Sequence, residues 1–411
     1  MTPPEASGTT APVLDVAAVR GHFPALRDGT AFFDGPGGSQ TPVVVAEAIR
    51  DALLSPLSNR GTLTLAAHNA EAIVGRCRSA LGDLLDTNPG GVIFGRSMTA
   101  LTFDISRALA ARWRPGDEIV VTRLDHDANV RPWVLAAAKA GASVRWVDFD
   151  PATGELPVQN LEAELSSRTR LVAVTAASNL IGTMPDIGAF AERAHAVGAY
   201  LYVDGVHYTA HRAVDLPALG ADFYACSPYK FFGPHCGVVA GSPDILAELH
   251  PDKLVPAPDG VPERFEHGTL PYELMAGTAA AVDFLAGITA ATGTRRERLL
   301  AAMTAVDDHE NALRSRIESG LQHLPGVTVH SRAAHRTPTL LLTFDHVEAA
   351  TVSAALAQQD INAPSGSFYA YETAGHLGLG QAGGLRIGLA PYNTAAEVDR
   401  LLSALTGALT G

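Results

Sequence analysis

The sequence predicts an α/β protein built on a mostly parallel sheet. Residues 117–150 form one strand, loop, helix and strand unit, in which the apolar run IVVT precedes the helical pattern RPWVLAAAKAG. A second short run, Tyr200–Val203, is aromatic and β-branched, which is typical of a strand buried on both faces. The 411 residues are enough for two or three units of about 150 residues each.

Composition narrows the classes of function. With 47% hydrophobic and 18% charged residues, the chain is predicted to be globular, and its formal charge of -13 argues against nucleic acid or an anionic membrane as a partner. No apolar run approaches the ~20 residues that cross a bilayer. The start, MTPPEASGTTAP, lacks the features of a secretory signal, so we expect a frayed tail and a cytoplasmic protein. Three scattered cysteines, Cys77, Cys226 and Cys236, do not form a disulfide framework or a zinc motif.

Lys230 is the most informative basic residue. Lysine occurs three times among 30 basic residues, and Lys230 alone lies in an apolar segment, SPYKFFGP. Such a setting would lower the pKa of the amine and make it nucleophilic, although a lysine stem packed on phenylalanines is the commoner arrangement. Asp204 ends a predicted strand 26 residues earlier. Because ligands of open α/β sheets bind beyond the carboxyl ends of the strands, the carboxylate and the amine are predicted to lie at one site.

A strand-end carboxylate and a buried lysine are the two groups that pyridoxal 5'-phosphate (PLP) needs. The lysine links covalently to the cofactor, and the carboxylate keeps the pyridine nitrogen protonated. The segments DGVHYTAH and SPYKFFGPHCG resemble the class V aminotransferase family of PLP enzymes, in particular its cysteine desulfurase-like branch, over nearly the whole chain.

The resemblance implies the PLP-dependent transferase fold type I. We therefore expect a large PLP-binding domain at residues 31–275 with a mostly parallel seven-stranded sheet, and a smaller C-terminal α/β domain at residues 276–411. Residues 1–30 would be a tail and a segment packing on the small domain. The resemblance also implies a homodimer with composite active sites.

A phosphate site is expected at the start of a helix. Ser97, Met98 and Thr99 precede the helical pattern ALTFDISRALAARW, and backbone amides at such a start bind anions, although capping is the commoner role. The resemblance implies that this helix start, together with Ser227 and Thr269 of the partner subunit, holds the PLP phosphate.

Three loop residues are expected around the cofactor ring. His126 follows the strand IVVT and Asn179 follows Leu171–Thr175; taken alone, His126 would be an ordinary polar residue of the surface and Asn179 would form an Asx turn. The resemblance implies that His126 stacks on the ring and that Asn179 donates to the phenolic oxygen. His207 stands where the branch often has glutamine, and we expect it to hydrogen-bond the same oxygen and to move protons near neutrality.

Two arginines are expected at the substrate. Arg386 has the apolar neighbours Leu385 and Ile387, and the resemblance implies that it binds the substrate carboxylate bidentately, which the planar guanidinium suits. The resemblance implies that Arg60 lies near the mouth of the site, although it could simply cap a helix. The turn GPGGS at residues 35–39 is implied to line the substrate pocket.

The chain departs from the desulfurases at the loop that would carry their nucleophilic cysteine. The corresponding segment, INAPSGSFYA at residues 361–370, contains no cysteine, and Tyr369 lies near the expected position. We therefore expect a C–S β-lyase that eliminates a thiol from L-cysteine or a cysteine S-conjugate. Lys230 would abstract the Cα proton, His126 would support the ring, and His207 or Tyr369 would assist the leaving group.

Other outcomes remain open at this point. The same site would serve an aminotransferase, an epimerase, a decarboxylation-coupled deaminase, or a true desulfurase using an unexpected cysteine. A catalytically silent partner protein is a further alternative, which the intact Lys230, Asp204 and Arg386 disfavour. No metal site is predicted, because the acidic and histidine cluster at residues 307–310 lies on a helical pattern typical of a solvated face.

Overall fold

The computed structural model describes residues 13–410, and the tail expected at residues 1–12 lies outside the described residues. The strands, numbered along the chain, are β1 (Ala31–Phe32), β2 (Val92–Gly95), β3 (Glu118–Thr122), β4 (Ser143–Val147), β5 (Thr169–Thr175), β6 (Tyr200–Asp204), β7 (Phe223–Cys226), β8 (Gly237–Gly241), β9 (Val327–Val329), β10 (Thr339–Phe344), β11 (Ile361–Asn362), β12 (Ser365–Gly366) and β13 (Gly384–Gly388).

The helices surround these strands. They are α1 (Val16–Gly21), α2 (Val43–Leu54), α3 (Leu65–Leu85), α4 (Met98–Ala110), α5 (Arg131–Ala140), α6 (Val158–Glu162), α7 (Ile187–Ala196), α8 (Leu216–Leu219), α9 (Pro243–Ala247), α10 (Tyr272–Ala286), α11 (Arg295–Leu321), α12 (Ala349–Ala357), α13 (Tyr371–His376) and α14 (Ala395–Thr410). Within residues 13–410, no helix combines the length and the apolar character needed to cross a bilayer.

The large sheet has seven strands in the order β2-β8-β7-β6-β5-β3-β4. Strands β3 to β7 pair in parallel, and β8 runs antiparallel to both of its neighbours. The predicted mostly parallel seven-stranded sheet is therefore confirmed. Side chains alternate along β6, so Leu201 and Val203 pack into one hydrophobic cluster and Tyr202 into the cluster on the opposite face. Burial on both faces explains why β6 reads as a continuous apolar run.

The carboxyl edge of this sheet carries polar residues. Thr175 at the end of β5 is the register partner of Asp204 at the end of β6, and both are almost completely buried. The segments after β3 and β5 carry His126 and Asn179, so the parallel pairing brings loops distant in sequence to one edge. This edge is where ligands of open α/β sheets bind.

A second sheet has four antiparallel strands in the order β12-β13-β10-β9. Its core joins apolar residues of α11, α12 and α14 to those of β10 and β13. Ala31 and Phe33 also pack in this core, because β1 pairs with β11. The predicted boundary after residue 275 falls inside α10, which packs against α2 and α3 in the first cluster of the large sheet. The domain limits themselves stay a prediction.

Candidate active site

Two overlapping cavities lie at the carboxyl edge of the large sheet. An outer cavity of about 540 Å³ reaches the surface, and it shares several lining residues with a narrower inner cavity. All the predicted cofactor residues except Thr269 line the inner cavity: Ser97, Met98, Thr99, His126, Asn179, Asp204, His207, Ser227 and Lys230. The fold thus brings together residues that span more than a hundred positions of the chain.

Asp204 is a buried carboxylate at the floor of the inner cavity. It is 4% exposed, and its Oδ1 accepts a hydrogen bond from the Val206 backbone N–H at 2.9 Å. Burial raises its pKa to about 6, while that hydrogen bond and the Lys230 cation oppose the rise. A cationic partner inside the cavity would hold this carboxylate ionised.

Lys230 lies on the short 3₁₀ turn Pro228–Lys230 between β7 and β8. It is 9% exposed, and its Nζ donates to the backbone carbonyl of Pro36. Burial lowers its pKa to about 8, and the nearby Arg386 cation adds to this effect, whereas Asp204 opposes it. Such an amine is partly neutral near physiological pH and is therefore nucleophilic.

The start of α4 provides the expected anion site. Ser97 is the N-cap, and its hydroxyl accepts from the Ala100 N–H at 3.1 Å, while the first N–H groups of a helix lack partners within it. Gly237 of β8 lies directly against this helix start: a Cβ there would be 2.1 Å from the Met98 nitrogen. Glycine thus allows the sheet to approach the helix start, which lies beside Ser227 in the cavity wall.

His126 is neutral in this environment. Burial and the cations Lys230 and Arg386 lower its pKa to about 3. Its Nδ1 accepts from the Ala128 N–H at 3.0 Å, which places the imidazole proton on Nε2. The imidazole stacks on the Tyr369 ring with centroids 5.6 Å apart.

Asn179 and His207 each direct an unsatisfied atom into a buried setting. The Asn179 Nδ2 donates to the Phe368 carbonyl at 2.9 Å, while its Oδ1 has no hydrogen-bond partner within residues 13–410. The His207 Nε2 lies 2.8 Å from the Thr339 hydroxyl, and its Nδ1 is likewise without a partner there. Burial and the neighbouring His211 hold the pKa of His207 well below its ordinary value, so this imidazole is neutral and is suited to hydrogen bonding rather than to acting as a general acid.

Arg386 is buried behind the outer cavity and is already paired. Its Nη2 bonds the Asp34 carboxylate at 2.5 Å, and its Nη1 donates to the Asn179 carbonyl at 3.1 Å. The Phe368 ring covers the face of the guanidinium, with 3.6 Å between the guanidinium carbon and the ring centroid. A substrate carboxylate would therefore meet an arginine that has an internal carboxylate partner.

The loop that carries Phe368 and Tyr369 is tightly constrained. Both residues have positive φ, 52° and 59°, which is uncommon for residues other than glycine. The Tyr369 carbonyl accepts from the Asp127 N–H at 2.8 Å, and the Asn179 amide holds the Phe368 carbonyl. These contacts compensate the strained backbone and fix two aromatic rings over the site.

The inner cavity fits PLP. Its donor set contains an amine that can form the covalent link, a buried carboxylate for the pyridine nitrogen, and hydroxyls with a helix start for the phosphate. The unsatisfied Asn179 Oδ1 and His207 Nδ1 are further polar atoms that a bound ligand would satisfy. The roles of the individual residues stay predictions.

Two predicted residues lie outside both cavities. Thr269 is exposed on the surface of the protomer. Arg60 pairs with Glu71 at 2.8 Å and with Glu263 at 3.0 Å, and it lines neither cavity.

Sequence reasoning missed Asp34 and Phe368. The one local signal for Asp34 is its position directly before the Gly-Pro-Gly-Gly turn, which suggested a pocket but not a carboxylate that pairs with Arg386.

Comparison with known proteins agrees with this geometry. The family model for aminotransferase class-V matches residues 31–401. The uncharacterized protein MT3887 of Mycobacterium tuberculosis (strain CDC 1551 / Oshkosh) is 34% identical over 398 residues, covering 95% of this chain and 98% of its own. The aminotransferase-like protein FGM3 of Gibberella zeae is 33% identical over 405 residues, covering 95% and 98%.

A solved structure is similar throughout. The crystal structure of the cysteine desulfurase CsdA (S-sulfonic acid) from Escherichia coli superposes with a TM-score of 0.86 at 27% identity, covering 97% of this chain and 99% of the other. The predicted family, the fold type I architecture and the PLP cofactor are therefore confirmed. The chain belongs to the class V aminotransferase family of PLP-dependent enzymes.

Proposed function

We propose that the protein is a C–S β-lyase that releases a thiol from L-cysteine or, preferentially, from a cysteine S-conjugate. The observation that carries this proposal is the lack of a cysteine at the cavities that hold the candidate PLP-binding residues. Residues 361–370 contain no cysteine, and the three cysteines of the chain line neither cavity.

The three cysteines are unsuited to accept sulfur. Cys77 and Cys226 are 0% exposed and Cys236 is 2% exposed. Burial raises the pKa of Cys236 to about 12 and that of Cys77 well above its ordinary range. Because sulfur transfer requires a thiolate that can reach the substrate, formation of a persulfide is disfavoured.

Asp204 and Lys230 would have different roles in the reaction. Bound PLP supplies an electron sink for the bonding electrons at the substrate Cα. Asp204 would hold the ring nitrogen protonated, and Lys230, with a pKa near 8, would take the Cα proton once its amine is free. The Cβ–S bond then breaks, the thiolate leaves and takes up a proton, and hydrolysis of the remaining fragment gives pyruvate and ammonia.

Tyr369 is the group best placed to give that proton. It is 78% exposed, lines the outer cavity and stacks on His126. His207 is buried in the wall of the inner cavity, and its neutral imidazole is a much weaker acid than an imidazolium, so it is poorly suited to protonate the leaving group. The volume of the outer cavity, about 540 Å³, accommodates a substituent on the substrate sulfur, which favours S-conjugates over free cysteine.

We further propose a homodimer in which Thr269 reaches the phosphate of the partner subunit. Thr269 is exposed in the protomer, and several leucines on and near α2 and α3 are also exposed: Leu53, Leu54, Leu63 and Leu65. Four exposed leucines within residues 53–65 favour an interaction surface in this part of the chain. Light scattering on the PLP-loaded protein should give twice the chain mass, and Thr269→Ala should weaken PLP binding. A monomer with full PLP affinity would contradict both statements.

Product analysis tests the activity. PLP-loaded protein is incubated with S-methyl-L-cysteine, L-cysteine and L-cystine, and pyruvate, thiol, alanine, carbon dioxide and the D-isomer are measured separately. Pyruvate and thiol in equal amounts, lost in Lys230→Ala, are the expected result. Alanine with persulfide would indicate a desulfurase. A keto acid that retains sulfur would indicate an aminotransferase, inversion at Cα an epimerase, and carbon dioxide a decarboxylating enzyme.

A further inference from the structure

Asp34 forms an ion pair with Arg386, the arginine that is expected to bind the substrate carboxylate. The side chain of Arg386 is 2% exposed and that of Asp34 is 27% exposed, so the carboxylate is the more accessible member of the pair. Both residues line the outer cavity, together with Lys230. A carboxylate entering this cavity therefore encounters Asp34 at the guanidinium.

The local backbone is shaped around this carboxylate. Asp34 forms a parallel bridge with Gly388, two residues beyond Arg386, and the Gly35 N–H donates to the Gly388 carbonyl at 3.3 Å. A Cβ at Gly37 would lie 2.2 Å from the Asp34 carboxylate, so any other residue in this position of the turn would displace the carboxylate from where it lies. The same turn brings the Pro36 carbonyl to the Lys230 amine. One short segment thus supplies the acceptors for both cations of the site.

We propose that Asp34 is a specificity-determining residue: it holds Arg386 in the free enzyme and is exchanged for the α-carboxylate of the substrate on binding. This inference rests on the proposed function, in which Arg386 binds that carboxylate. The exchange replaces one carboxylate by another, so the buried guanidinium never loses its counter-charge, which would be strongly unfavourable.

The exchange selects for amino acids over simple carboxylates. Asp34 is tethered beside Arg386, so an incoming carboxylate competes with a partner at a high effective concentration. A ligand with a carboxylate alone gains only that one contact and competes poorly. A ligand whose amine also reacts at the Lys230 site gains a second attachment, and its carboxylate is then held in place to displace Asp34. Tight binding therefore requires a carboxylate and an amine on the same ligand.

The test uses a ligand that has the carboxylate but no amine. The probe is 3-(methylsulfanyl)propanoate, the desamino analogue of S-methylcysteine, and calorimetry measures its binding to the PLP-loaded protein. Asp34→Asn should lower the Kd of the probe by at least about tenfold, because the tethered competitor is removed. The methyl ester of the probe lacks the carboxylate, and its binding should not change.

Asp127→Asn is the matched control. Asp127 also lines the outer cavity and pairs with an arginine, Arg131, at 2.8 Å. Its replacement removes the same charge from the same cavity, and we expect less than about a threefold change in the Kd of the probe. An equal fall in the Kd of the probe in both variants would show that the effect comes only from the removal of a negative charge, and it would overturn the proposal. An unchanged or higher Kd in Asp34→Asn would also overturn it.

A second measurement, on the wild-type protein, tests the proposal even when the Asp34→Asn variant does not fold. A crystal structure of the wild-type protein with the probe bound should show Arg386 on the probe carboxylate and Asp34 turned away. An intact Asp34–Arg386 pair beside the bound probe would overturn the exchange. Neither measurement uses turnover, so a protein that exchanges the carboxylates but makes no pyruvate would contradict the lyase proposal alone.

Discussion

The Phe368 ring lies 3.6 Å from the guanidinium carbon of Arg386, and Asn179 connects the two residues. The Asn179 carbonyl accepts from the Arg386 Nη1, and the Asn179 Nδ2 donates to the Phe368 carbonyl. Asn179 lies far along the chain from Phe368, which closely follows β12, and from Arg386 in the paired strand β13, and the three form a closed set of contacts. The orientation of the expected carboxylate-binding group therefore depends on the loop that carries Phe368.

We expect Phe368→Leu to weaken substrate binding more than it slows turnover. A desolvated cation–π contact contributes about 1–2 kcal/mol, which corresponds to a rise in KM of about 5- to 30-fold. Steady-state kinetics on S-methyl-L-cysteine measure KM and kcat separately. Tyr371→Leu, at a 54% exposed tyrosine three residues away, is the control. A KM in Phe368→Leu equal to that of the control would show that the ring does not hold the guanidinium.

The rate of PLP incorporation should depend on pH through Lys230. The pKa of this amine is about 8 in the cofactor-free protein, and only the neutral amine attacks the aldehyde. The rate followed by absorbance should rise about tenfold per pH unit below pH 8 and level off above it. Because the Arg386 cation helps to lower this pKa, Arg386→Met should move the midpoint to higher pH. A wild-type midpoint near the ordinary value of 10.5 would contradict the effect of burial.

The fold and the cofactor site could be predicted because their signals are local. Apolar runs identify the strands of the large sheet, and Asp204 and Lys230 stand out from the residues next to them. The partners of Arg386 have no such signal, since Asp34 is 352 positions away. The positive φ of Phe368 and Tyr369 is equally absent from the pattern, because neither residue type favours that conformation. Contacts of this kind follow from the packing of the second sheet against the site.

Asp204→Asn should stabilise the cofactor-free protein against unfolding but weaken its binding of PLP. Burial raises its pKa from 3.8 to about 6, so the stability this group contributes is present below about pH 4 and is lost as the pH rises through 6. Asparagine does not ionise and keeps the acceptor for the Val206 N–H. Between pH 4 and pH 7, cofactor-free Asp204→Asn should therefore gain on the order of 3 kcal/mol of unfolding free energy relative to wild type.

Urea unfolding of both proteins at the two pH values measures this gain. The same variant should bind PLP more weakly, because a neutral amide does not hold the ring nitrogen protonated. If the difference between the two proteins were independent of pH, Asp204 would not be the buried titrating carboxylate.

Thr339 should determine which nitrogen of His207 carries the proton. The Thr339 hydroxyl lies 2.8 Å from the His207 Nε2, and the Thr337 hydroxyl lies 3.0 Å from it and donates to the Thr339 oxygen at 3.2 Å. When the Thr339 hydroxyl donates its hydrogen bond to Nε2, the proton of the neutral imidazole must lie on Nδ1. Nδ1 has no hydrogen-bond partner among residues 13–410. This tautomer gives the inner cavity a hydrogen-bond donor at His207.

We therefore expect Thr339→Val to reduce both stability and cofactor affinity. It removes the nearer of the two hydroxyls at the buried Nε2 and leaves that of Thr337 at 3.0 Å, so the unfolding free energy should fall by about 1 kcal/mol. It also weakens the preference for the tautomer with the proton on Nδ1, and with it the expected contact to the cofactor oxygen. Thr339→Ser keeps the hydroxyl and should restore both properties, so fluorescence titration with PLP and urea unfolding are measured on the two variants together. A serine variant that binds PLP as weakly as the valine variant would show that the methyl group of Thr339, and not its hydroxyl, supports the site.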